Sequence, residues 1–187
     1  GKSLMLSMID YYFRIDEDSK DLFADKKIFG CGDEYASYLN SYPVIHLNMK
    51  NVKGETYEEL LFEFKKVISK CYETFPELED SPTINEEKKK TFLAYKNGSF
   101  EQPKQYAGAL SFLIELLYRH YDKRVIVLLD EYDTPINDAY QNGYYQKAIS
   151  IFSSFYSSAF KGEDSLYMGI LTGVLEIQQE SIFSDQI

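Results

Sequence analysis

Apolar residues along the chain recur with a helical period in some stretches and run together in others, and the two patterns take turns. Leu4, Met5, Met8, Ile9, Tyr12 and Phe13 fall at steps of three and four, which predicts a helix starting at or just before Gly1. A polar stretch over residues 16–40 follows, and then Pro43, Val44, Ile45, His46, Leu47, Asn48 and Met49 read as a short strand whose proline marks its start. Thr56 and Glu59 have the spacing of a capping box, ahead of a helix with Tyr57, Leu60, Leu61, Phe64, Ile68 and Cys71 along one side. Residues 76–103 change character. Acidic residues, a lysine cluster and the turn-like Asn97-Gly98 predict a surface insertion with one short helix near Phe92, Leu93 and Tyr95. Tyr106, Leu110, Leu113, Ile114 and Leu117 predict a helix that ends around Tyr121, before the unbroken apolar run 125–129. Tyr145, Ala148, Ile149, Phe152, Phe155, Tyr156, Ala159 and Phe160 form the inner face of another helix, and residues 166–173 read as a final strand. Helices alternating with buried strands imply an α/β fold, a parallel sheet covered by helices on both faces.

Composition narrows the class. With 187 residues, 44% hydrophobic and 27% charged, one soluble globular domain spanning residues 1–187 is expected. No apolar run approaches a membrane span and no secretion signal opens the chain, so a cytoplasmic protein without membrane contact is expected. Cys31 and Cys71 lie far apart without metal-ligand spacing and read as ordinary thiols. A net charge of −10 argues against direct nucleic-acid binding. The aromatic residues fall mostly at helical spacing, which assigns them to the core.

Two short motifs carry the candidate chemistry. Gly1-Lys2-Ser3 opens directly into the first helix, as the end of a phosphate loop does: backbone N–H groups and the positive helix end face one anion. In that reading Gly1 lets the backbone approach, Lys2 adds a full charge, and the Ser3 hydroxyl binds Mg²⁺. The second motif is the apolar strand ending in Asp130-Glu131. Asp130 is the candidate metal carboxylate, and Glu131, one residue on and pointing differently, the candidate for polarising an attacking water. The bland alternative is a strand meeting solvent. Asp133 either supports the metal's outer shell or caps the next helix, with Pro135 in its first turn, and the cap is the preferred reading. Thr172 could touch the terminal phosphate or the attacking water, or merely satisfy the strand end before Gly173. His46 and His120 read as structural.

These residues resemble a known family. Gly1-Lys2-Ser3-Leu4, Tyr42-Pro43-Val44-Ile45-His46-Leu47, the run from Val125 to Asp133 with Pro135-Ile136, and Leu171-Thr172-Gly173-Val174-Leu175 followed by Ser181-Ile182-Phe183-Ser184 are similar to the AAA-ATPase-like domain. The resemblance implies a P-loop NTPase that binds ATP with Mg²⁺, with Lys2, Ser3, Asp130 and Glu131 at the nucleotide-site positions. It also implies departures. The family's phosphate loop reads Arg-Pro-Arg-Arg-Phe before Gly-Lys-Ser, so the chain is expected to lack the first strand and the first half of that loop. An Asn-Asn pair expected after Ile187 is not present, and Glu176 stands where many relatives have a basic residue. No arginine finger is assigned, and Arg14, Arg119 and Arg124 read as surface residues.

The leading expectation is an ATP-binding, ATP-hydrolysing domain of a larger protein that couples nucleotide state to an attached domain or partner. The chain by itself is expected to bind ATP weakly or not at all and to be inactive, whereas a chain extended at its start is expected to bind it. Alternatives are a nucleotide-gated interaction module with negligible turnover, or a degenerate scaffold for a nuclease-like domain. Expected partners are ATP, an attached PD-(D/E)XK nuclease-like domain as relatives often carry, and a second copy in a homo-oligomer.

Overall fold

The computed structural model describes residues 1–160 and 164–174 of the 187. At its centre lie β1 (Val44–Asn48), β2 (Val125–Asp130) and β3 (Leu166–Leu171), joined as a parallel sheet in the order β1-β2-β3. β2 is branched and aliphatic until its last residue, and all six of its residues are buried, as befits the middle strand of a sheet covered on both faces. Its register pairs Ile126 with Val44 and Asp130 with Asn48 on one side, and Leu129 with Leu171 on the other. All three strands therefore end at the same edge of the sheet.

α1 (Lys2–Phe13) covers one face, where Leu6 meets Val44, Ile126 and Leu128 with half-buried Ile9, Phe13, Met168 and Ile170 around them. Leu6, Ile9 and Phe13 lie at i, i+3 and i+7, a single stripe of the helix. Not all the apolar residues whose spacing predicts this helix point inward: Leu4, Met5 and Met8 are 66%, 50% and 52% exposed, while Leu6 is fully buried. A helix lying on three strands buries one narrow stripe, and every second apolar residue of α1 falls outside it.

The chain then makes two one-turn helices, α2 (Lys20–Phe23) and α3 (Asp33–Ala36), within the polar stretch. The opposite sheet face carries the main core. Ile45, Leu47, Val125, Val127 and Leu129 pack there against α4 (Tyr57–Glu73), α6 (Pro103–Tyr121), α7 (Thr134–Gln141) and α8 (Tyr145–Phe160). The capping box of α4 forms as its sequence requires, Thr56 accepting from the Glu59 amide at 3.2 Å and Glu59 reaching back to the Thr56 amide at 3.3 Å.

Residues 76–103, expected at the surface, contribute to this core. Their helix α5 (Glu86–Lys96) leans on α4, and Leu78, Ile84, Phe92, Tyr95 and Phe100 are buried. Tyr72 of α4 sits 5.4 Å from the Phe92 ring and 4.9 Å from Tyr95, whose hydroxyl donates to the Gln105 carbonyl. The charges that mark the segment as polar lie outside, in pairs such as Lys88 with Glu115. α7 begins as the sequence suggests, with Asp133 at its N-cap and Pro135 in its first turn, and buries only Pro135, Ile136 and Ala139.

Cys31 is exposed and Cys71 buried, and burial pushes the Cys71 thiol up to about 12, as an inert core thiol requires. His120 hydrogen-bonds Ser81 at 2.8 Å. Among the described residues no helix is long and apolar enough to cross a membrane.

Candidate functional site

Strand β2 delivers Asp130 to the edge where the three strands end, and the side chain lies on the α1 face, 1% exposed. Its partners come from the two neighbouring strands and from the helix above. The Thr172 hydroxyl, just past β3, donates to Oδ1 at 2.5 Å, and the Asn48 amide at the end of β1 donates to Oδ2 at 3.3 Å. Burial opposes ionisation of Asp130, but the polar hydroxyls of Ser3 and Thr172, the electrostatic influence of the nearby His46 ring and the Glu131 amide outweigh it and hold the carboxyl below its ordinary range. A depressed folded-state value means that the ionised, hydrogen-bonded form stabilises the fold at neutral pH. That contribution is lost as pH falls through the folded-state value.

Helix α1 begins at the same place. Gly1 is its N-cap, with open space around its Cα, and its carbonyl accepts from the Met5 amide at 3.2 Å. The first-turn amides of such a helix have no intrahelical acceptors. The Lys2 ammonium donates to the Gly173 carbonyl, next to Thr172, so the residues that open the chain and those that follow β3 touch. Lys2, Ser3, Asp130 and Thr172 thus form one cluster.

Glu131 is adjacent but engaged differently. It is half-buried, with φ at 54° in the left-handed region that costs a non-glycine residue about 1–2 kcal/mol. The turn swings the chain out of the strand, and the Glu131 carboxylate accepts from the Thr134 hydroxyl at a long 3.4 Å. A strained residue held directly after a buried carboxylate is a common mark of a functional turn.

Asp133 occupies the N-cap position of α7, as the preferred sequence reading has it, but its side chain makes no capping bond. Its Oδ2 accepts instead from the Val174 amide at 3.0 Å and the Asn137 side chain at 3.3 Å, which pins the loop carrying Thr172. Gly173 makes this possible, because a Cβ there would lie 2.7 Å from Asp133 Oδ1 and 2.9 Å from Tyr132 Cε1. Gly173→Ala should therefore push Asp133 off the loop and lower the unfolding free energy by about 1–3 kcal/mol, the usual range for overpacking. Urea denaturation of the variant checks this; an unchanged midpoint would mean that the loop accommodates the methyl group.

Sequence reasoning missed the residues beside this cluster. A cleft of about 330 Å³ is lined by Ser3, Ser7, Asp10, Arg14, His46, Asn48 and Asp130. Ser3, Ser7, Asp10 and Arg14 descend one side of α1 at helical spacing, and Asp10 holds His46 Nδ1 at 2.9 Å and Arg14 at 2.7 Å. Arg14 was expected at the surface; its side chain is 16% exposed and also lies 3.9 Å from Asp16. Asn48 could be found only through the register that sets it opposite Asp130.

Leu175, Glu176 and the segment 181–184 lie outside the described residues. Among the described residues, no group of three or more His, Cys, Asp or Glu side chains could hold a metal ion unaided. The donors at Ser3, Asp130 and Thr172 are all oxygens, one of them an ionised carboxylate. This set suits a hard cation that takes its remaining ligands from water and phosphate. No curated protein and no solved structure matches the chain. A family model described as "Predicted AAA-ATPase" matches residues 1–183, from the helix-opening Gly1-Lys2-Ser3 past the strand that ends in Asp130, and the chain belongs to this AAA-ATPase-like family.

Proposed function

We propose that the protein binds ATP with Mg²⁺ at the cluster formed by Lys2, Ser3, Asp130 and Thr172, and hydrolyses the terminal phosphoryl bond. The observation that carries this reading is that the start of α1 and the end of β2 meet: Ser3 and Asp130 line one cleft, Lys2 donates to the Gly173 carbonyl, and the neighbouring Thr172 donates to Asp130. A helix N-terminus and an ionised carboxylate facing one cleft are the two halves of a metal-phosphate site.

In this reading the free amides at the start of α1 and the Lys2 ammonium receive the phosphate oxygens. Lys2 leaves the Gly173 carbonyl to do so, which links phosphate binding to the loop after β3. Ser3 and Asp130 would hold Mg²⁺, whose role when bound is to neutralise charge on the phosphates. Asn48 and Thr172 orient Asp130, so Thr172 acts through that carboxylate and not on the water directly. Glu131 accepts the proton of the attacking water. Movement of the Thr172-Gly173 loop would carry nucleotide state to a partner.

Titration with a fluorescent ATP analogue, with and without Mg²⁺, tests the binding half. Lys2→Ala should weaken Mg-dependent binding by at least tenfold, since it removes a charge-assisted contact. Equal affinity in the variant would remove Lys2 from the site and favour a degenerate scaffold.

A further inference from the structure

The geometry points to a second binding surface: the open edge of β1, together with the lysines of α4, docks an extended acidic peptide segment by strand addition. In the β1 to β2 ladder the Ile126 amide donates to Pro43 at 3.0 Å and the Met49 amide to Asp130 at 2.9 Å. A parallel ladder uses alternate residues, so the backbone groups of Val44, His46 and Asn48 point the other way. The segment after α1 pairs with that edge only at Tyr42, through Ile15 donating to the Tyr42 carbonyl at 2.9 Å. Beyond it the edge borders a cleft of about 470 Å³, whose floor is His46, Leu47 and Asn48 and whose far wall is one side of α4.

The charge of this cleft is opposite to that of the chain. The protein carries −10 overall, yet Lys50, Lys66 and Lys70 ring the cleft against a single carboxylate, Glu63. Lys66 pairs with Glu63 at 2.9 Å, while Lys50 and Lys70 have no carboxylate partner among the described residues. All three lysines are exposed. Exposed strand edges are ordinarily protected, and lysine is a common guard against another like chain. Here Lys66 and Lys70 stand on the α4 wall across from the edge and Lys50 just past the end of β1, where they attract an acidic strand instead. A peptide fits better than a nucleic acid, because only a peptide supplies alternating N–H and C=O groups for the edge. His46 and Asn48 line this cleft and the one beside Asp130, so an occupant would lie against Asn48, which donates to the β2 carboxylate.

The test is fluorescence anisotropy with a labelled peptide of alternating Glu and Val, alongside the same peptide N-methylated at alternate amides. The parent peptide should bind, with affinity falling as salt rises, and methylation should weaken it at least tenfold. Lys50→Glu/Lys66→Glu/Lys70→Glu, its fold checked by circular dichroism, should weaken binding similarly, whereas Lys104→Glu on another face should not. Equal binding of the methylated peptide, or full displacement by inorganic phosphate or an oligonucleotide, would overturn strand addition. Because the methylation comparison uses the unaltered protein, failure of the triple variant to fold would not blunt the test.

Discussion

Glu131→Gln is expected to reduce Mg-ATP hydrolysis by about 10²–10⁴-fold, the usual worth of a positioned proton acceptor, while nucleotide affinity stays the same. The amide matches the carboxylate in shape but cannot take a proton from water. Structural damage should be minor, since among the described residues the carboxylate's one side-chain hydrogen bond spans 3.4 Å to Thr134 and the residue is only half-buried. A substitution of this kind changes stability by roughly 0.5 kcal/mol or less. Single-turnover hydrolysis and equilibrium binding, measured on the same preparation, separate the two effects. Undiminished hydrolysis in the variant would strip Glu131 of its role, and a parent protein without turnover would favour a nucleotide-gated module.

The second large effect concerns the core. Phe64 of α4 is fully buried, its ring 4.6 Å from Phe152, 4.9 Å from Phe155 and 5.8 Å from Tyr106. This aromatic cluster joins α4 to α6 and α8, and through them to the main-core face of the sheet. Phe64→Ala leaves a cavity that rigid neighbours cannot fill and should lower the unfolding free energy by about 3–5 kcal/mol. That is a large part of the 5–15 kcal/mol typical of a domain. Phe62, two residues away and 60% exposed, provides the contrast. Its replacement by Ala should shift the urea midpoint little, and equal shifts for the two variants would contradict the packing described.

Much of the fold was legible because one signal dominates each element. β2 is unbroken and apolar, α4 announces itself with Thr56 and Glu59, and α6 and α8 have wide apolar faces. Where local and tertiary effects compete, the sequence misleads. The apolar residues of α1 outnumber the positions that three strands can cover, so Leu4 and Met8 face outward. Residues 76–103 look like surface because their charges are numerous, yet a few large side chains such as Phe92 decide where the segment lies.

The candidate cluster was partly legible for the same reason. Lys2, Ser3 and Asp130 stand at element ends that sequence patterns reveal. The partners that orient them depend on contacts between distant segments: Asn48 reaches Asp130 through strand register, Asp133 grips the Val174 amide, and Asp10 holds His46. No spacing rule links residues so far apart along the chain.

A crystal structure with Mg²⁺ and a non-hydrolysable ATP analogue would test the central claim most directly. The phosphates should rest on the first amides of α1, with Lys2 moved from the Gly173 carbonyl to a phosphate oxygen and the cation between Ser3 and Asp130. Nucleotide bound elsewhere, with Lys2 still on the Gly173 carbonyl, would contradict it.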